Sequence, residues 1–288
     1  MNIFQAIVYG VVQGLTEFIP VSSTAHLRLV PAIFGWQDPG SGFTAVIQLG
    51  TVLAVLIYFW KDLSAAFMGW AKSFTGEKNS VEARTGWAVF YATIIIAILG
   101  LALEKHIEGS FRSLYVVAFS MIAMGTLMFV ADSRTGNDRT LESIQVADGI
   151  KIGLWQCLAL IPGMSRSGSS ITGALFGGFD RRSAARLSFL MSVPAITLAG
   201  LYEGFKKYKL LAGDLRTPTI VATIVSFIVG YACISWLISF ISNKGIKPFV
   251  VYRIALGILI VILCVTGKIE PVASTEKADV PPKTSTAS

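Results

Sequence analysis

Charged residues are scarce in this chain. Asp, Glu, Lys and Arg together make up only 14% of its 288 residues, whereas 53% are hydrophobic and the mean hydropathy is +0.66. An ordinary soluble domain contains about 25% charged residues. This deficit excludes a soluble globular protein and indicates an integral membrane protein.

Cysteine is also rare, and its positions indicate no metal centre. Cys157, Cys233 and Cys264 lie inside apolar stretches, without the spacing of a zinc site. We interpret them as small buried hydrophobic residues. The net charge of +7 comes from basic residues in short loops, which is typical of a membrane protein facing anionic lipids and does not indicate nucleic-acid binding. These loops are spread over both sides, so their charge does not fix the orientation.

Long runs without charge predict the membrane spans. A hydrocarbon core about 30 Å thick needs about 20 apolar residues. Two further runs, 152–165 and 167–179, are too short, and Pro162, Gly163 and Arg166 prevent them from forming one span. We interpret them as the legs of a re-entrant hairpin, which is tolerated where it is buried in protein or lines a wet cavity. The predicted spans are 39–60, 85–103, 113–131, 187–202, 217–243 and 249–267, the last with Arg253 facing protein or the interface.

Two similar phrases interrupt the hydrophobic sequence. They read QGLTEFIPVSSTAH from Gln13 and QCLALIPGMSRSGSS from Gln156, 143 positions later. Each contains a glutamine in an apolar helix, a proline that ends the helix, and then hydroxyl side chains beside ionisable groups. Paired broken segments in the two halves of a membrane protein indicate a binding site at the repeat interface.

A second landmark supports an internal duplication. Phe43 and Phe189, which lie near the start of the next apolar helix of each half, are 146 positions apart. The sequence therefore predicts one polytopic membrane domain over 1–267, with halves 1–148 and 149–267. The tail, 268–288, is rich in Pro, Ser, Thr and Lys, and we expect it to be disordered.

The first phrase contains a carboxylate, hydroxyls and an imidazole. Gln13 and Glu17 are four positions apart and share one helix face. Pro20 ends the helix and turns the hydroxyls toward a cavity, and His26 is at a suitable spacing from Ser23 for a Ser–His pair. An interfacial, water-facing Glu17 is the alternative. In the same helix, Gly10 and Gly14 allow another backbone to approach closely. The hydroxyl residues that follow Pro20 in this phrase are Ser22, Ser23 and Thr24.

The second phrase contains a guanidinium group between hydroxyls and glycines. Gly163 and Gly168 flank Ser165, Arg166 and Ser167. Glycine allows a tight turn whose N–H groups can bind an anion, and an arginine fork matches phosphate oxygens. The alternative is an Arg166 neutralised by a carboxylate, a pairing that could still give way to phosphate. Together the two phrases indicate a phosphate-handling site.

With these two phrases, the chain resembles the undecaprenyl-diphosphate phosphatase family, the bacitracin-resistance membrane phosphatases. One motif is the Gln/Glu-x-x-x-Glu segment with its Pro-Val-Ser-Ser-Thr-x-His continuation, at 13–26. The other is Pro-Gly-x-Ser-Arg-Ser, at 162–167. The likeness extends to 43–50, to 187–194 and to Tyr252-Arg253.

The resemblance implies hydrolysis of undecaprenyl diphosphate to undecaprenyl phosphate and inorganic phosphate, with a divalent cation, Mg²⁺ or Ca²⁺. This reaction recycles the lipid carrier of cell-wall synthesis and confers bacitracin resistance. The implied fold is all-α, with two inverted repeats, about six transmembrane helices and two re-entrant helical hairpins. The resemblance also implies a multi-pass protein of the bacterial cytoplasmic membrane, with a site facing the outer side. The expected partners are the polyprenyl diphosphate and membrane lipids, with a homodimer as a further expectation.

Site residues follow from the same resemblance. Either Ser23 attacks phosphorus with help from His26, or His26 or Glu17 activates water. The chain departs from the family pattern at Gln13, where many members have Glu, and at Thr44 and Arg186, where we expect Glu. The implied catalytic residues are Glu17, Ser23, His26 and Arg166; the implied substrate-binding residues are Gln13, Ser22, Thr24, Gly163, Ser165, Ser167 and Gly168; and the implied metal ligand is Glu17.

A polyprenyl-phosphate transporter is the competing hypothesis. Inverted repeats with broken helices are a transporter architecture, and fold alone does not decide function. A pure carrier does not need the combination of Glu17, Ser23 and His26, so the residues favour a phosphatase, with lipid flipping as an additional activity.

Overall fold

The computed structural model describes residues 1–108, 111, 113–134, 136–206 and 213–271, and these ranges form a helical bundle. Within these ranges there is no β-strand, and a single bridge joins Arg139 to Phe179. The helices are α1 (Ile3–Phe18), α2 (Ser23–Phe34), α3 (Gly40–Tyr58), α4 (Trp60–Lys72), α5 (Val81–Glu108), α6 (Leu114–Asp132), α7 (Val146–Cys157), α8 (Arg166–Phe176), α9 (Arg181–Lys206), α10 (Arg216–Lys244) and α11 (Lys247–Val265).

The long apolar helices confirm an all-α integral membrane protein. Five of them, α5, α6, α9, α10 and α11, are long and apolar enough to cross a membrane. α3 and α4 bend by 78° at their junction, and they add a sixth crossing if the bent pair is one span rather than a re-entrant loop. The sequence predicted a span ending at Trp60 but not this bend. Lys61 and Asp62 follow directly, so α4 leaves the direction of α3 where the chain becomes charged.

Two helical hairpins, α1–α2 and α7–α8, have the same turn geometry. Ser22 and Ser165 precede the second helix of each hairpin with φ of +77° and +71°, and no other non-glycine residue in the described ranges has a positive φ. Each hydroxyl oxygen accepts a hydrogen bond from a backbone N–H three residues on, at Ala25 and Gly168 (3.3 and 3.1 Å). The cap offsets part of the cost of the strained backbone. Because these serines are also 143 positions apart, the duplication predicted from Gln13 and Gln156 extends to local geometry.

Each hairpin packs against a long helix of the other half. The most extensive contacts of α1 are with α10, and those of α7 are with α5. Two further pairs cross the halves, α3 with α9 and α6 with α11, whereas α4 contacts α5, and α8 contacts α9, within one half. This reciprocal pairing agrees with an internal repeat, and the opposite orientation of the two halves stays a prediction.

Small residues let the hairpins approach these helices closely. A Cβ atom at Gly10 would lie 2.6 Å from the carbonyl oxygen of Ala222, and one at Gly14 would also meet α10 backbone. The close approach predicted for Gly10 and Gly14 is therefore confirmed. In the second half, a Cβ atom at Gly149 would lie 2.3 Å from the Cα atom of Ala88 on α5.

The burial of the three cysteines and of the first tail residues can be compared with the predictions made for them. Cys233 and Cys264 are buried and Cys157 is half-buried, each as a free thiol. Of the predicted tail, 268–271 lie in the described part, where Ile269 is buried and the carbonyl oxygen of Pro271 accepts a hydrogen bond from Leu114. Residues 272–288 lie outside the described residues.

Candidate active site

The Glu17 carboxylate lies at the centre of a buried polar cluster. Its side chain is only 4% exposed. Oε2 accepts hydrogen bonds from Gln13 Nε2 (3.0 Å) and Ser23 Oγ (2.8 Å), and Oε1 accepts one from Gln48 Nε2 (2.8 Å). The Nη2 atom of Arg166 lies 3.6 Å from Oε1. Burying a carboxylate is costly unless it is paired and hydrogen-bonded, and three hydrogen bonds and one ion pair, from four helices, meet that requirement.

The local sequence explains how α1 and α2 place Glu17 beside Ser23. Gln13 and Glu17 are one turn apart on α1, so the predicted shared face is confirmed. The helix ends at Phe18, and Pro20 cannot continue it. The chain then turns at Ser22, and α2 begins at Ser23, which brings this hydroxyl back to the carboxylate.

Arg166 begins α8 and points one side of its guanidinium group at Glu17. The ion-pair distance of 3.6 Å is long for a direct hydrogen bond. Its Nη1 atom is buried and has no hydrogen-bond partner within the described chain. The enclosed space beside Glu17, Arg166 and Phe189 is only about 10 Å³, room for no more than one water. This space is too small for a phosphate group, and the neutralised arginine considered above describes this arrangement of Arg166 and Glu17.

The expected Ser23–His26 hydrogen bond is absent from the contacts of the described residues, so that pairing is wrong for this structure. Ser23 donates to Glu17 on the neighbouring helix instead. His26 is held elsewhere, with Nδ1 2.7 Å from the carbonyl oxygen of Ser22 and Nε2 2.7 Å from Oη of Tyr252. The backbone turn at Ser22 presents its carbonyl oxygen to the imidazole, and α11 supplies the second partner.

Hydroxyl groups join the tips of the two hairpins. Thr24 Oγ1 lies 3.0 Å from Ser22 Oγ and accepts a hydrogen bond from the N–H of Gly163 (3.4 Å). Ser167 Oγ donates to the backbone carbonyl oxygen of Glu17 (3.3 Å). The predicted substrate-binding residues of both phrases therefore meet at one interface, and a direct phosphate contact by any of them stays a prediction.

The two glycines expected to offer N–H groups to an anion use them within the protein. The N–H of Gly163 bonds to Thr24, and that of Gly168 bonds to the Ser165 hydroxyl (3.1 Å). The predicted nest is thus filled by the chain's own hydroxyls. Gly163 is nevertheless required for the turn, because its φ is +96° and a Cβ atom would lie 2.5 Å from the carbonyl oxygen of Val117.

Arg253 bridges the two hairpin tips from α11. It is fully buried and donates to the carbonyl oxygens of Pro20 (3.1 Å), Gly163 (2.7 Å) and Met164 (3.1 Å), with a longer bond to Met121 (3.4 Å). Of the two environments predicted for Arg253, the one facing protein is correct. The backbone carbonyl oxygens stabilise its positive charge by accepting hydrogen bonds. No carboxylate of the described chain pairs with it.

Sequence reasoning missed the contacts that Gln48, Tyr252 and Arg253 make with Glu17, His26 and the hairpin tips. All three lie in segments covered by the family likeness, which was the available signal, but no spacing rule connects them to Glu17 or His26. Arg186, by contrast, lies away from the cluster and pairs with Asp62 on α4 at 2.5 Å. Its departure from the family pattern is therefore balanced by a local ion pair.

Hydrogen-bond donors surround Glu17, the predicted metal ligand. No group of three or more His, Cys, Asp and Glu side chains that could hold a metal exists among the residues described. Mg²⁺ is usually bound through one or two carboxylates together with substrate phosphates. Gln13 and Gln48 turn their N–H donors toward the Glu17 carboxylate, and a divalent cation held by Glu17 stays a prediction.

A larger cavity of about 440 Å³ lies at another place in the fold, near the end of α6 and the start of α9. It shares no lining residue with the Glu17 cluster, so it plays no part in the site. Its lining residues are Asp132, Arg134, Gly136, Asn137, Asp180, Arg181, Arg182 and Ser242.

Known proteins resemble this chain over nearly its whole length. The family model described as bacitracin resistance protein BacA matches residues 6–259. An undecaprenyl-diphosphatase of Myxococcus xanthus strain DK1622 is 48% identical over 98% of this chain and 95% of that protein. An undecaprenyl-diphosphatase 2 of Streptomyces avermitilis is 44% identical over 95% of this chain and 99% of that protein, and an undecaprenyl-diphosphatase of Nocardioides sp. is 45% identical over 93% and 99%.

Proposed function

The chain belongs to the family of bacitracin resistance protein BacA, and we propose that it is an integral membrane phosphatase that hydrolyses undecaprenyl diphosphate to undecaprenyl phosphate and inorganic phosphate. This activity recycles the lipid carrier for cell-wall synthesis and confers resistance to bacitracin. The relatives named above favour the phosphatase over the transporter.

One observation supports this function most directly. The Glu17 carboxylate, the Ser23 hydroxyl and the Arg166 guanidinium group meet in a single cluster, although they come from hairpins about 140 residues apart. Phosphoryl transfer depends mainly on positioning and on stabilising negative charge. Glu17 as a base, Ser23 as a nucleophile and the positively charged Arg166 as a phosphate-binding group meet those needs within one cluster.

Arg166 is the group that binds the diphosphate in this proposal. Its free Nη1 donor and its long contact with Glu17 leave the guanidinium group able to turn toward phosphate oxygens. Two parallel N–H donors of an arginine match two such oxygens. Phosphate binding then separates Arg166 from Glu17 and opens the small space between them.

Ser23 is the better placed nucleophile. Its hydroxyl hydrogen already points at Glu17 Oε2, 2.8 Å away. Glu17 accepts this proton as Ser23 Oγ bonds to the terminal phosphorus, and the bond from that phosphorus to the bridging oxygen breaks. Undecaprenyl phosphate leaves, and water then hydrolyses the phosphoserine to release inorganic phosphate. Direct attack by water activated at Glu17 or His26 is the other route.

A divalent cation, Mg²⁺ or Ca²⁺, completes the proposal. Glu17 would hold it, and the ion would neutralise charge on the diphosphate. With the cation bound, Ser23 is still the nucleophile and Arg166 still binds the diphosphate. His26 is still one of the two groups that would activate water on the other route.

The location we propose is the bacterial cytoplasmic membrane, with the site facing the outer side. The family of the chain supports this location, whereas loop charge does not fix the orientation.

Phosphate release by the purified protein tests the function. We expect inorganic phosphate and undecaprenyl phosphate from undecaprenyl diphosphate in the presence of Mg²⁺ or Ca²⁺, and little release with EDTA. No release under any of these conditions from folded protein would contradict the proposal, and transport across liposomes would then be measured. Native mass spectrometry of the same sample tests the expected homodimer.

A further inference from the structure

Tyr252 contacts His26 in two ways, although the two residues are 226 positions apart. Its Oη atom lies 2.7 Å from His26 Nε2. The two rings are also nearly parallel, at 6°, with their centroids 5.7 Å apart. Tyr252 directly precedes Arg253 on α11, so adjacent residues of one helix fix both the hairpin tips and the imidazole.

The partners of His26 determine which ring nitrogen bears the proton. The carbonyl oxygen of Ser22 can only accept a hydrogen bond, so its 2.7 Å contact places the proton on Nδ1. In the neutral imidazole Nε2 is then an acceptor, and the Tyr252 hydroxyl donates to it. Together the two contacts fix both the orientation and the tautomer of His26.

We propose that Tyr252 is a positioning residue for the hydrolysis, acting through His26. This inference rests on the proposed function. Because Ser23 donates to Glu17, His26 is not needed to hold the nucleophile and is available to accept a proton from the water that attacks the phosphoserine in the second step. Tyr252 keeps the imidazole in the tautomer that has a lone pair on Nε2, and its hydroxyl turns aside when that nitrogen accepts the proton.

Steady-state kinetics of Tyr252→Phe test the proposal. The variant keeps the stacked ring and removes the hydroxyl, so we expect kcat to fall about tenfold, the effect of one lost hydrogen bond, with KM within about twofold. Tyr115→Phe is the matched control, because Tyr115 lies on the neighbouring helix α6 with 44% exposure against 45% for Tyr252. Unchanged kcat in Tyr252→Phe would overturn the proposal.

A double-mutant cycle separates a positioning role from a general structural one. If Tyr252 acts through His26, adding Tyr252→Phe to His26→Ala lowers kcat no further. A full additional tenfold loss in the double variant would show that Tyr252 acts independently of His26 and would overturn the proposal.

Nitrogen NMR of histidine gives a readout that needs no substrate. The chain has two histidines, so His106→Gln leaves His26 as the only signal. We expect a protonated Nδ1 and a hydrogen-bonded Nε2, and in Tyr252→Phe the Nε2 signal should move toward that of an imidazole nitrogen without a donor. An unchanged spectrum would overturn the pairing. If the wild-type protein released no phosphate, the proposed function would fail while this spectrum still decided the pairing.

Discussion

The Ser23 hydroxyl donates its hydrogen bond to Glu17 and makes none to His26. The distance from Ser23 Oγ to Glu17 Oε2 is 2.8 Å, whereas the ring nitrogens of His26 contact Ser22 and Tyr252. The serine and histidine that are close in sequence thus have separate partners. A carboxylate that receives the serine hydrogen is the nearest base to the candidate nucleophile.

Replacing Glu17 by glutamine should abolish most of the activity. The amide has nearly the same shape but cannot accept the Ser23 proton, so we expect kcat to fall by about 100-fold or more. Glu142→Gln, in an exposed loop, is the matched control and should leave kcat unchanged. A Glu17→Gln enzyme within threefold of wild type, measured by phosphate release, would rule out Glu17 as the base.

Ser23→Ala distinguishes the two nucleophiles. If Ser23 attacks phosphorus, the variant loses activity by about 10³-fold or more, and rapid quenching of the wild-type reaction should yield a phosphoserine peptide containing Ser23. Mass spectrometry of the quenched enzyme detects it. Failure to trap this peptide, combined with a loss of less than tenfold in Ser23→Ala, would favour direct attack by water.

Gln48 should contribute to activity through Glu17. Its Nε2 donates to Oε1 at 2.8 Å, so Gln48→Ala removes a charge-assisted hydrogen bond and should lower kcat about tenfold. Gln48→Glu should be worse, because it puts a second negative charge beside Glu17. The exposed Gln37→Ala is the control. Equal activity of all three variants in the phosphate-release assay would exclude this role.

Arg253 should be required for both stability and activity. Arg253→Met leaves buried carbonyl oxygens of both hairpin tips unpaired, and an unpaired buried acceptor costs about 1–3 kcal/mol. We expect a lower midpoint of thermal unfolding in detergent and a kcat reduced at least tenfold. Arg253→Lys should recover little, since one ammonium group cannot reach both tips. Arg216→Met, at an exposed position, is the control. A wild-type unfolding midpoint and kcat in Arg253→Met would contradict this role.

The two polar interruptions of the hydrophobic sequence could be predicted because they depend only on residues that are neighbours in the chain. Pro20 and the pair Pro162-Gly163 cannot continue a helix, and polar groups beside them are unfavourable in lipid unless they are buried in protein. Those rules were sufficient to identify both hairpins. Gly10 and Gly14 likewise predicted a close helix contact from spacing alone.

The partners of the site residues could not be predicted in the same way. Gln48 lies in an uncharged span, where a neutral amide gives little signal, and it meets Glu17 only because α3 packs beside α1. His26 and Tyr252 are joined by tertiary structure across 226 positions. Local spacing suggested a Ser23–His26 pair, and contacts between distant helices replaced it.

The kinetics of Arg166→Ala test the central claim most directly. Purified wild type, Arg166→Ala and the control Arg182→Ala are compared for phosphate release from undecaprenyl diphosphate at saturating Mg²⁺. Removing a group that stabilises charge in the transition state costs about 10²–10³ in kcat. We therefore expect such a loss in Arg166→Ala and none in Arg182→Ala, which lies outside the cluster. Turnover of Arg166→Ala close to that of wild type would contradict a site built from Glu17, Ser23 and Arg166.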